Sequence, residues 1–180
     1  MHMADALISP AVGGGMWAAA AGSLAYCARR TGGMDERKAP LMGVLGAFVF
    51  SAQMINFSIP GTGSSGHLGG GLLLAILLGP YAAFLTIAAV LVIQALFFAD
   101  GGLLALGCNI WNLGIYPCFL AFPLVYRPLA GDGRDPKRAF AAALVGAVAG
   151  LQLGAFSVVL QTLLSGKAEL PFAPFALMML

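Results

Sequence analysis

Two histidines, at positions 2 and 67, are the only imidazoles in this chain of 180 residues. At the start of the chain, the α-amine of Met1, the backbone nitrogen of His2 and the His2 ring can bind one metal ion together. The bite closes a five-membered ring between amine and amide nitrogen, then a six-membered ring onto the imidazole. Three nitrogens held close to one plane leave a corner open, an arrangement that suits Ni(II) or Cu(II). The amide nitrogen must lose its proton to bind, so affinity should rise with pH. His67 closes the loop Gly61-Thr62-Gly63-Ser64-Ser65-Gly66-His67 and is the candidate for the fourth corner. The ordinary alternative is a solvated terminal histidine and an unrelated surface histidine. Topology decides whether the two can meet.

The elements that would carry them lie in a membrane. The sequence is 60% hydrophobic and 9% charged, with a mean hydropathy of +0.92; a soluble domain carries about a quarter charged residues. Its apolar runs are continuous rather than alternating, which excludes a β-barrel. A net charge of +2 without a basic run gives nucleic acid nothing to bind. Cys27, Cys108 and Cys118 each sit inside an apolar segment, where buried thiols act as small hydrophobes. No standard signal peptide is present at the N-terminus, because a positive leading region is missing and Asp5 interrupts it.

Six apolar stretches follow, at about residues 10–28, 40–58, 68–78, 81–99, 103–126 and 139–164. Ser9 should cap the first, with Pro10 in its first turn. Pro117 should kink the fifth. The expectation is an all-α polytopic transmembrane bundle, a single domain over 1–180, with six spans and an incomplete seventh helix from residue 171. Eight of the nine Lys and Arg residues fall in two loops, 29–38 and 127–138. The positive-inside rule puts both loops in the cytoplasm. The N-terminus and the His67 loop then share the outer face, provided that the short third stretch crosses the bilayer.

Polar residues inside the spans gather toward that outer face. Gln53 and Asn56 share one helical face, as do Asn109 and Asn112. Gln94, Gln152 and Gln161 suit hydrogen bonding between helices, whereas Asn109 and Asn112 are candidates to hold the metal-binding loop. Asp5 is a candidate to accept from an imidazole, and Ser64 and Ser65 line the loop. Two stripes of small residues, Gly14, Ala18, Gly22 and Ala142, Gly146, Gly150, Gly154, are expected to pack helices closely within the chain.

Three stretches together carry a resemblance: Met1-His2 with Asp5-Ala6 and Ser9-Pro10, the glycine-rich loop Gly61 to Gly71 with its Ser-Gly-His-Leu core, and Asn109-Ile110-Trp111-Asn112-Leu113-Gly114. They resemble the CbiM/NikM family, the nickel- and cobalt-capturing membrane components of energy-coupling-factor transporters. The resemblance implies a substrate-capture subunit of the inner (plasma) membrane with its N-terminus outside. It implies that Ni2+ or Co2+ is held by the Met1 amine, the His2 backbone and ring nitrogens, and His67, within segments 1–9 and 59–71. It also implies a transmembrane coupling subunit, two cytoplasmic ATPase subunits, a small accessory membrane subunit, a use of cobalt in cobalamin synthesis, and a further helix near the C-terminus. Ala6 and Thr62-Gly63-Ser64 depart from the usual family residues.

Other functions fit less well. A stand-alone permease or channel would place ionisable residues inside the spans, and none lies there. A hydrolase using Ser64 or Ser65 with His67 lacks an acidic orienter in a span. The glycine-rich loop lacks the Lys-Ser/Thr pair of a P-loop, so the chain is not expected to be an enzyme and energy must come from elsewhere. No cofactor is expected; the metal is cargo.

Overall fold

The structure, a computed structural model, describes residues 2–33, 38–60, 64–168 and 171–179; Met1 and the side chains of Ser64 and Ser65 lie outside that description. A 3₁₀ turn at Asp5–Leu7 leads into α1 (Pro10–Thr31) and then α2 (Lys38–Gln53). A two-stranded hairpin follows, β1 (Phe57–Ile59) with β2 (Ser64–Gly66). The rest is α3 (Gly71–Leu78), α4 (Pro80–Phe98), α5 (Leu106–Ala130), α6 (Pro136–Leu164) and α7 (Phe172–Met179).

Helix limits follow from local chemistry. Ser9 Oγ accepts from Val12 N–H at 3.4 Å, with Pro10 in the first turn of α1, and Arg29 and Arg30 in its last turn complement the helix dipole. Asp135 caps α6 at Lys137 N–H, 2.9 Å, ahead of Pro136. Gly79, at φ 83°, stops α3 and turns the chain straight into Pro80 of α4.

Among the described residues three helices are long and apolar enough to cross a membrane: α4, α5 and α6. The second apolar stretch is helical only to Gln53, because its Phe57-Ser58-Ile59 end pairs antiparallel with Ser64–Gly66, Phe57 opposite Gly66. A side chain at Gly66 would collide with the Phe57 ring, so the aromatic lies over the glycine. α3 has eight residues, about 12 Å at the usual rise, against a hydrocarbon thickness of about 30 Å. In α5 the backbone from Trp111 to Tyr126 winds as a π-helix that contains Pro117 and Pro123.

The core centres on α4, which packs against α1, α2, α3 and α5. Phe84, fully buried on α4, fills the space left by Gly114 of α5, where a Cβ would lie 2.7 Å from its ring. The stripe Ala142, Gly146, Gly150 and Gly154 is buried, with Gly150 against Pro117 and Ala121. The other stripe runs opposite to expectation. Gly14, Ala18 and Gly22 are exposed, and α1 instead buries Gly13, Ala20 and Cys27. The reason is the crossing with α5: Gly107 lies so close that a Cβ there would meet the backbone of Met16 and Trp17, and that contact fixes which face of α1 turns inward.

These contacts give a paired test. Gly71→Ala would press a methyl into the Leu113 carbonyl and the Pro117 ring, and overpacking of this kind costs about 1–3 kcal/mol. Gly14→Ala meets nothing within 4 Å. Thermal unfolding in detergent should show a lower midpoint for the first variant and an unchanged or higher one for the second.

Candidate functional site

The N-terminal segment is threaded into the bundle rather than laid on it. Met3 is fully buried and His2 nearly so. A buried stretch outside regular structure must find partners for its backbone groups, and here they come from α5 and the loop before it. Met3 N–H donates to Asn109 Oδ1 at 2.9 Å, Gly102 N–H donates to the Met3 carbonyl at 2.9 Å, and Asn109 Nδ2 reaches the same carbonyl at 3.4 Å. Asn112 approaches Met3 from beneath, its Nδ2 3.8 Å from the sulfur, and forms a reciprocal amide pair with Gln161 at 2.9 and 3.0 Å. Both asparagines therefore contact Met3, and Asn112 also lines a cavity with Leu68 to Gly71. Their spacing of three on α5 is what points them at one residue.

Asp5 faces the same loop. Its Oδ1 accepts from the Ala105 backbone N–H at 2.9 Å. The carboxylate set against an imidazole is Asp100, whose Oδ1 lies 3.1 Å from His2 Nδ1. The hydrogen bond from His2 holds the Asp100 carboxyl below its usual range. Asp100 escaped the sequence reading because it looks like the end of a helix. The available signal was its setting, an acidic residue followed by Gly101-Gly102 in an otherwise uncharged region. Gly101, at φ 92°, has no room for a side chain between Asn109 and His2. Trp17 of α1 ties the same loop down by donating Nε1–H to the Leu103 carbonyl at 2.9 Å.

His67 arrives from the other side. Its ring lies 4.4 Å from the His2 ring, centre to centre, with the planes 21° apart. His67 Nδ1 is 2.8 Å from the Leu68 carbonyl. A carbonyl only accepts, so Nδ1 carries the hydrogen and Nε2 holds the ring's lone pair. Burial pushes the His67 imidazole down to about 3. The ring is neutral at physiological pH. The loop that presents it is held by Gln53, whose Nε2 donates to the Gly69 carbonyl at 3.0 Å. Among the described residues no three His, Cys, Asp or Glu side chains form a metal-holding group; two imidazoles and one carboxylate on backbone-rich surroundings are what the fold assembles.

The helical fold that brings these imidazoles together falls into a known structural class. A solved structure of a transition metal transporter superposes with a TM-score of 0.80 at 26% identity, covering 99% of this chain and 89% of that one. The chain matches the description "Cobalt uptake substrate-specific transmembrane region" over residues 2–180, and it belongs to that family, CbiM. It is 40% identical over 159 residues to a protein of Archaeoglobus fulgidus named for fused nickel transport, NikMN, covering 86% of this chain and 52% of that protein. It is 37% identical over 117 residues to the cobalt transport protein CbiM of Clostridioides difficile, covering 64% of this chain and 46% of the relative. The chain thus spans about half the length of these relatives.

Two measurements follow. Asn109→Ala strips the buried Met3 N–H of its acceptor, a loss of about 1–3 kcal/mol; hydrogen exchange at residues 2–5 should accelerate and the thermal midpoint fall. The second concerns pH. His67 takes up a proton only near pH 3 when folded, against 6.5 when unfolded. The folded value is the lower one, so stability linked to His67 is complete above about pH 6.5 and is lost as pH falls toward 3. Imidazole NMR should show no His67 titration step near 6.5 in the folded protein.

Proposed function

We propose that this chain captures a divalent transition metal ion, Ni(II) or Co(II), on the outer face of the plasma membrane and hands it inward as the substrate-specific component of an ATP-driven energy-coupling-factor importer. The observation that carries the proposal is the meeting of His2 and His67, 65 positions apart in sequence, with their rings stacked 4.4 Å apart, centre to centre. Turning either ring out of the stack would aim one nitrogen of each at a shared ion. His67 would serve one corner through Nε2, with Nδ1 turned to Leu68. The Met1 amine, the His2 amide nitrogen and His2 Nδ1 would supply the other three, Nδ1 giving up its proton and its Asp100 contact to the ion.

The chain's own residues do specific work in this scheme. Asn109 and Gly102 fix the His2–Met3 backbone, so the chelating nitrogens are presented with little loss of freedom on binding. Asp100 places a carboxylate beside a dipositive ion whose amide ligand has lost a proton. Four nitrogens favour Ni(II) over Co(II) intrinsically. Ser64 and Ser65 would line the same loop.

The topology proposed with it has six spans, an incomplete seventh and an outer N-terminus. The third crossing would be residues 68–78, α3 with the three residues before it, which leaves His67 at the outer face. That arrangement keeps the two basic loops inside. ATP hydrolysis belongs to two cytoplasmic subunits joined through a transmembrane coupling subunit, with a small accessory membrane subunit completing the complex.

The test is metal titration of purified chain with a free N-terminus. One ion of Ni(II) or Co(II) should bind per chain, releasing at least one proton. One residue added before Met1 should abolish that binding. His67→Ala should weaken it by more than about a hundredfold and Asn112→Ala by about tenfold. Undiminished binding by the extended chain would remove the amine from the site.

A further inference from the structure

The two segments that carry the histidines meet at one residue of α4. The backbone carbonyl of Gln94 accepts from both Ala99 N–H and Asp100 N–H, the latter at 3.1 Å, which closes the helix and sets Asp100 against His2. The closure is tight enough that Ala99 takes a left-handed conformation, φ 52°, the one positive φ at a residue other than glycine among those described. The side chain of Gln94 points elsewhere. Its Nε2 donates to Gln53 Oε1 at 3.0 Å, and Gln53 Nε2 donates in turn to the Gly69 carbonyl, two residues past His67. Both glutamines are fully buried. Gly70, next in the chain, sits against Val49 one turn earlier on α2, so close that a Cβ would lie 2.5 Å from its methyl.

A pair that only joined α2 to α4 would need the Gln94–Gln53 bond alone. Here the amide of Gln53 is turned instead onto a carbonyl in an irregular stretch, His67 to Gly70, that lacks a helix or sheet to hold it. A buried carbonyl in such a stretch takes its position from whichever donor it finds. Gln53 is that donor, and Gln94 fixes which way Gln53 faces.

We propose that Gln53 is a positioning residue for His67, and that Gln94 joins the His67 loop and the Asp100–His2 loop into one register, so that this amide pair sets metal affinity without touching the ion. The role rests on the metal-capture reading above.

The experiment compares the full chain bearing a free N-terminus with Gln53→Met, Gln94→Met and the double variant. Methionine keeps length and apolar packing, and removing both partners leaves fewer orphaned groups than removing one. Three quantities are read: Ni(II) affinity, the visible absorption band of the bound ion, and, without metal, hydrogen exchange at residues 66–70. Gln53→Met and the double variant should weaken binding about tenfold to a hundredfold, as losses beside metal ligands do. They should also shift the band and speed loop exchange, with a thermal midpoint close to that of the unaltered chain. Gln94→Met should act in the same direction but less, since Gln53 still reaches Gly69, and the double variant should match Gln53→Met rather than add to it. A lowered midpoint with affinity, band and exchange all unchanged makes the pair mere helix bonding and overturns the proposal. An unaltered chain that binds no ion overturns the metal reading and this role together; equal binding by all four proteins overturns this role alone.

Discussion

The fold depends on getting an extended stretch of backbone inside a helical bundle at its N-terminal edge. Residues 2 and 3 make no helix or long strand, yet they are among the most buried in the chain. In low-dielectric surroundings each unpaired N–H or C=O costs several kcal/mol, roughly the scale of a whole side chain's burial. Asn109 and Gly102 remove that cost at Met3 by pairing its N–H and its C=O. Once those bonds exist, His2 is carried into the bundle by its neighbour.

Around that anchor the site is assembled from three directions. α5 supplies the asparagines, the loop after α4 supplies Asp100, and α2 with its hairpin brings His67. α4 touches most of these elements and is the most buried of the three long apolar helices. Helices in lipid gain little from burying apolar surface against one another, so close packing and buried amides carry the association. Both are visible here: Gly107 and Gly114 let α5 approach α1 and α4, and the pairs Gln53–Gln94 and Asn112–Gln161 bridge helices far apart in sequence.

Much of this was legible from residues alone, and some was legible only in part. Ser9-Pro10 announced the start of α1, and Asn109 with Asn112 announced a shared polar face, because both signals are local. Their target was not legible. Which carbonyl or thioether an asparagine meets depends on where residue 3 lies, and nothing local encodes that across a separation of 106 positions. The stripe Gly14, Ala18, Gly22 looked as suited to packing as the stripe on α6, yet it faces outward, since α1 meets α5 through Gly13 against Leu104 and through the backbone of Met16 and Trp17 against Gly107. A small-residue face shows where a helix can be approached, not that it is.

Sequence by itself determined the solvent and the ingredients. Nine per cent charged residues and long apolar runs point to lipid, and two solitary histidines limit the chemistry. It also determined the family, whose motifs are written in short contiguous stretches. Tertiary structure alone decided which carboxylate faces His2, because Asp5 and Asp100 are equally near it in chemical type and only the closure of α4 at Gln94 brings one of them within 3.1 Å. It likewise decided that the two imidazoles meet. Chain distance carries no information about that meeting, which depends on hydrogen bonds made by Asn109, Gln53 and Gln94 in the folded bundle.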